Sequence, residues 1–179
     1  MADDLRAIGD HGTSRAVAEI VLRDSFVISR NVYDWLGDGV YFFQDAPNRA
    51  WEWARQRYGE DGVVIRSVIR LDDCLDLLDI KANDLLVETY NELVEIARQT
   101  GAPLPRQTAG AHRLDRVVVN LAAEFAATPN GMTIPAVRGV FSEGSPVYPS
   151  SAILDRAHVQ IAVRDPSLIE SSDLMTWED

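Results

Sequence analysis

The order of two hydrophobic periodicities constrains this chain most. Residues 75–128 carry apolar side chains at helical spacing, while the stretches on either side carry them in strand-like runs or alternation. A helical middle between β-rich ends lacks the regular βαβ alternation of a parallel doubly wound sheet, so the pattern predicts an α+β fold. Ser14 or Thr13 can cap a first helix reaching Arg23, with Ala16, Val17, Ile20 and Val21 on one face. A loop over 24–35 leads to a short aromatic strand over 39–43. Asp45 and Pro47 then open a helix striped by Ala50, Trp51, Ala54 and Tyr58.

Residues 63–71 read as a mostly buried, central strand. Asn83 is expected to cap a long helix bearing Leu86, Tyr90, Leu93 and Ile96 or Ala97, closed by Gly101. A second helix carries Leu114, Val117, Val118, Leu121 and Phe125 and stops at Pro129, Asn130 and Gly131. These two helices are expected to cover one sheet face and to supply no catalytic group. Strands return at 136–141 and 157–164, the second alternating through Val159, Ile161 and Val163.

With 179 residues and no repeat or Gly/Ser linker, the expectation is one domain over 1–179 with a helical insertion at about 75–128. No apolar run approaches the roughly 20 residues that span a bilayer. The first ten residues lack the basic start and apolar block of a secretory signal. The single cysteine, Cys74, has no partner for an intramolecular disulfide, and its apolar surroundings predict a small buried residue rather than a nucleophile. A cytoplasmic protein with no membrane contact is the expectation. The net charge of −11 argues against broad nucleic-acid binding through counterion release. His112 and His158 lack companions at metal spacing, so no metal site is expected and a hydrogen-bonded structural role is.

Two short motifs carry chemistry. His11-Gly12-Thr13 brings an imidazole, a bare backbone and a hydroxyl together just before a helix. Gly37-Asp38-Gly39-Val40-Tyr41-Phe42 offers two glycines that admit close backbone approach, followed by a strand tyrosine. Each alone is compatible with a surface histidine or a glycine turn feeding a core strand. In this order and spacing, with Ile20, Phe26 and Asn48-Arg49-Ala50, the run from His11 to Ala54 resembles the NAD-binding half of the PARP-like and diphtheria-toxin-like ADP-ribosyltransferases. The resemblance covers about a quarter of the chain at the level of motifs.

The resemblance implies a split β-sheet core and cleavage of the nicotinamide–ribose bond of NAD, with transfer of ADP-ribose to an acceptor. It implies that His11 bonds the adenosine ribose, that the Gly12 backbone holds the carboxamide, and that Tyr41 stacks on nicotinamide, with Thr13 and Gly39 also at the cofactor. A second aromatic from the following helix completes the sandwich; Trp53 is preferred because Trp51 lies on the apolar stripe. The family glutamate near the start of a late strand is matched by Glu143, although Tyr148 follows it by five residues where the family has four. Glu170 and Glu124 are the next carboxylates to consider, neither being expected at the head of a strand. Ile8-Gly9-Asp10 stands where the family ends its first strand on an apolar residue, so that strand is expected to be short.

The expected catalytic residues are therefore Glu143, His11 and Tyr41, and the expected partners are NAD and a protein or nucleic-acid acceptor. A bacterial toxin or modifying enzyme would fit by analogy, and the insertion offers a surface for a partner protein. Two alternatives stay open: an RNA 2′-phosphotransferase, which shares the fold and an HGT motif, and an inactive NAD-fold binding module.

Overall fold

The computed structural model describes residues 5–108, 110–126 and 133–176. Among the described residues the architecture is α+β: one mixed sheet of seven strands with four α-helices. In chain order these are β1 (Arg6–Ser14), α1 (Arg15–Arg23), β2 (Val40–Gln44), α2 (Pro47–Tyr58), β3 (Gly62–Arg70), β4 (Leu75–Asp76), α3 (Lys81–Thr100), α4 (Arg113–Phe125), β5 (Ala136–Phe141), β6 (His158–Val163) and β7 (Ile169–Leu174). Across the sheet the order is β4-β5-β6-β2-β1-β3-β7, antiparallel except for the β4–β5 pair.

β1 is not short. It pairs with β3 along nine residues, from Arg6 opposite Arg70 to Ser14 opposite Gly62, and Asp10 is accommodated because Arg66, its cross-strand partner, bonds it at 2.9 Å. β3 is interior, with β1 on one side and β7 on the other, yet lies one strand from the edge rather than at the centre. β7 and β4 had no readable pattern: β7 is the polar sequence IESSDL, held to β3 by its ladder.

The two sheet faces carry different helices. On one, Val40, Phe42, Ile69, Ile161 and Val163 form a core, joined through Phe26 to Ala18 and Val21 of α1. α1 is capped by Ser14, whose side chain accepts from Val17 N at 3.4 Å. Of its expected inner face only Val21 is buried, alongside Ala18, while Ala16, Val17 and Ile20 are exposed. The β1–α1 junction sets the helix rotation, which the short apolar pattern leaves ambiguous.

On the other face, α2 buries Ala50 and Trp51 against Phe43 and Val64, with Ala54 also buried, and α4 buries Val119 and Ala123 against Val137 and Ala162. α3 starts at Lys81, two residues before the expected Asn83 cap, because the Asp79 carboxylate accepts from Lys81 N at 3.0 Å. It ends at Gly101 in the left-handed conformation, φ 71°. Only its first half packs inward, through Ala82, Leu85 and Leu86, leaving Tyr90 and Ile96 exposed. The coverage expected of both helices is thus supplied mainly by α4. The expected stop at Pro129, Asn130 and Gly131, and the end of the insertion at 127–128, lie outside the described residues. Among the described residues no helix is long and apolar enough to cross a membrane.

Candidate functional site

β1 and β2 are neighbours for only two residue pairs, Gly9 with Gln44 and Asp10 with Phe43, and then part. At that fork the His11 ring spans the gap, its Nδ1 lying 2.8 Å from the Tyr41 carbonyl oxygen. A carbonyl only accepts, so Nδ1 carries the proton and Nε2 keeps its lone pair. His11 packs on Phe26 and Phe42, whereas Tyr41 packs with Leu36 and Ala162 on the opposite face of the pleat. Because the strands fork, both still border one cleft of about 390 Å³, within the usual range for small-molecule sites.

The cleft is lined by Tyr41, Phe43, Phe141 and Gln160 of the sheet, by Arg49, Trp53, Arg57 and Tyr58 of α2, and by Asp34 and Trp35 of the loop between α1 and β2. Gly12, Gly110, His112 and Glu143 also border it. A larger hollow of about 720 Å³ beside Trp51, Arg55 and Met175 includes none of His11, Tyr41 or Glu143, so size alone does not mark the site.

Of the expected residues, His11, Gly12, Tyr41, Trp53 and Glu143 meet in this cleft, and Thr13 and Gly39 do not. Thr13 is buried in the β1–β3 ladder. Gly39 packs on β6, where a Cβ would lie 3.1 Å from Ala162 and Val163 atoms, so its bareness serves strand packing. Gly12 has the same need: a Cβ there would lie 2.7 Å from the Ala50 carbonyl oxygen and 3.1 Å from Trp53 Cε3. Trp53 is therefore set against Gly12 while Trp51 is buried in the core, the division expected from the stripe.

Glu143 is not at the start of a strand. It lies two residues beyond the end of β5, in the loop that Gly144 turns at φ 96° and that the Pro146–Leu154 bridge closes before β6. Tyr148 is exposed on this loop and does not border the cleft. Conversely, Glu170 does sit at the head of a strand, β7, but it bonds Arg6 at 2.7 Å away from the cleft; Glu124 is on α4 and also outside it. The one other carboxylate bordering the cleft among the described residues is Asp34, buried, bonded by Ser29 Oγ at 2.7 Å and pushed to a higher pKa by that burial.

Sequence reasoning missed what holds the glycine turn. Asn120 Oδ1 of α4 accepts from Asp38 N at 2.8 Å, Arg116 bonds the Asp38 carboxylate at 2.9 Å, and Gly37 takes φ 82° where a Cβ would lie 2.5 Å from Asn120 Oδ1. The turn in turn grips Tyr41, whose hydroxyl donates to Gly37 O at 2.8 Å and accepts from Leu36 N at 2.9 Å. Burial pushes that hydroxyl's pKa up, so it stays neutral and Tyr41 offers a fixed ring rather than an acid. The insertion also brings His112 and Gly110 to the cleft. Single polar residues at unrelated positions give no periodic signal, which is why these contacts were hidden.

A second, partly buried network orders Gln160. Trp35 Nε1 donates to its Oε1 at 2.6 Å, and its Nε2 donates to His158 Nε2 at 2.9 Å, while His158 Nδ1 donates to Arg156 O at 2.7 Å. Burial lowers the pKa of both His11 and His158. As pH falls through the ordinary histidine value of about 6.5, the unfolded chain therefore takes up protons that the folded one resists. Stability is retained above that value and lost below it. The urea midpoint is expected to fall between about pH 7.5 and about pH 5.5, by less in His158→Gln, and equal falls would remove His158 from the account.

Cys74 is half-buried and its thiol is pushed up to about 12 by burial, so it is not a thiolate nucleophile. Among the described residues no three metal-ligating side chains converge. Compared with protein-family models, curated proteins and solved structures, the chain matches none.

Proposed function

We propose that the protein uses NAD as substrate, releasing nicotinamide and transferring ADP-ribose to a macromolecular acceptor, with the β1–β2 fork as the split of an ADP-ribosyltransferase-like core. The observation that carries this reading is the meeting of His11, Gly12, Tyr41, Trp53 and Glu143, from four separate parts of the chain, around one cleft. In this reading the neutral His11 accepts from a ribose hydroxyl at Nε2, the Gly12 backbone bonds the carboxamide, and Tyr41 and Trp53 flank the nicotinamide ring. The bond between ribose C1′ and nicotinamide nitrogen breaks, its electron pair leaving with nicotinamide, and an acceptor nucleophile bonds C1′ and gives up its proton. Positive charge grows on the sugar as this happens, where the Glu143 carboxylate stabilises it.

Nicotinamide release by the purified protein, alongside calorimetric NAD binding, tests the reading. Binding without release would make it an inactive NAD-binding module, and neither would end the proposal. Tyr41→Ala is expected to weaken NAD binding by roughly 1 to 3 kcal/mol, the scale of a lost aromatic contact. An unchanged affinity would remove Tyr41 as the platform.

One observation favours the RNA 2′-phosphotransferase alternative: His11 and His112 border the cleft together with Arg49 and Arg57. Against it stand the net charge of −11 and the engagement of Arg49 by Glu52 and Glu143. Loss of an internal 2′-phosphate from an RNA oligonucleotide, dependent on NAD, would decide for it.

A further inference from the structure

Arg49 and Glu52 lie one turn apart on α2, and each reaches an opposite end of the loop between β5 and β6. Arg49 bonds Glu143 at the loop's start and Glu52 on its own helix; Arg156, at the loop's end, bonds Glu52 at 2.7 Å. The four side chains form a ladder of alternating charge, Glu143–Arg49–Glu52–Arg156. Arg49 is the fixed member: its side chain is 16% exposed and its guanidinium lies over the Phe43 ring, 5.6 Å from the centroid. Glu143 is freer, at 36% exposed, and like Arg49 and Trp53 it borders both the main cleft and a second hollow of about 410 Å³, which Glu52, Gln56 and Arg156 also line. Bordering both spaces, its carboxylate can face either one unless a partner holds it.

We propose that Arg49 is the positioning residue for Glu143, its guanidinium bridging Glu143 and Glu52 so that the Glu143 carboxylate stays at the cleft. This rests on the reading of Glu143 as the group that stabilises the cationic ribose. Glu143, Glu52 and Arg156 are all partly exposed, so each pair is screened and contributes little energy, and the ladder's contribution is direction rather than strength. A planar guanidinium with several donors can hold two carboxylates at once, whereas a lysine ammonium acts as a point charge. Charge alone therefore does not restore the function.

The test is nicotinamide release by Arg49→Gln, Arg49→Lys, Glu143→Gln and the double variant Arg49→Gln/Glu143→Gln, each with its melting curve. Arg49→Gln is expected to lower kcat on the order of tenfold to 100-fold, the scale for misplacing a group by about 1 Å, with KM for NAD within about twofold of wild type. Arg49→Lys should recover only a small part, and Arg49→Gln should add nothing once Glu143 is already Gln, because it acts through that residue. Additive losses, full rescue by lysine, or a loss confined to KM would overturn the proposal, the last making Arg49 a ligand contact. Should the Arg49 variants fail to fold, Glu52→Gln and Arg156→Gln take their place, and wild-type kcat in both would overturn it. A wild-type protein that releases no nicotinamide overturns the reading of Glu143 and this proposal together; an active wild type with additive losses overturns the positioning role alone.

Discussion

Replacing Glu143 with Gln is expected to slow nicotinamide release by roughly 100-fold or more while leaving NAD affinity nearly unchanged. Gln keeps the size of the side chain and one acceptor oxygen, so although the ion pair with Arg49 loses its charge, the contacts to ground-state NAD change little. What disappears is the negative charge, whose value rises only as the ribose becomes cationic. The loss should therefore appear in turnover and not in calorimetric binding. Near-wild-type turnover would hand the role to another acid. Asp34 would then be tested first, because it borders the cleft, whereas Glu170 lies on β7, beyond β3 from the cleft, and is paired with Arg6, and Glu124 lies on α4 outside the cleft.

Phe42→Ala is expected to cost about 3 to 5 kcal/mol of stability, the range for truncating a buried aromatic ring. Phe42 is 1% exposed and sits at the centre of the core of Val40, Ile69, Ile161 and Val163. Its ring lies 5.3 Å from that of Phe26 and 5.6 Å from that of His11. Gly9 brings β1 so close that a Cβ there would lie 2.8 Å from Phe42 Cβ, so the backbone has little room to collapse into the space left behind. Since whole domains are stable by only about 5 to 15 kcal/mol, the loss should shift the urea midpoint strongly. A change below about 1 kcal/mol would mean that the core relaxes around the missing ring.

His11 depends on that core, and the dependence shows where sequence and fold divide the work. The motifs around His11 and Tyr41 were legible because their residue types and short spacings are local. Their meeting in one cleft was not, because it requires β1 and β2 to pair for two residues and then part. The location of Glu143 was misread for a related reason. The strand over 136–141 could be bounded from its residues, but the loop between Phe141 and His158 is organised by the Gly144 turn, the Pro146–Leu154 bridge and the ladder to α2, contacts that leave no period.

The sequence by itself determined the α+β class, the bounds of β5, the body of α2 with its Trp51-inward and Trp53-outward division, and the Gly101 end of α3, since each rests on periodicity or on a residue's own backbone preference. Tertiary structure decided the inward face of α1, the polar edge strand β7, the pinning of the Gly37–Gly39 turn by Arg116 and Asn120, and the company that Glu143 keeps. The physical reason is the same in each case. Apolar burial repeats along a helix or strand and so leaves a pattern in the chain, whereas a hydrogen bond or ion pair between distant residues is specified by two single positions and becomes visible only when the fold brings them together.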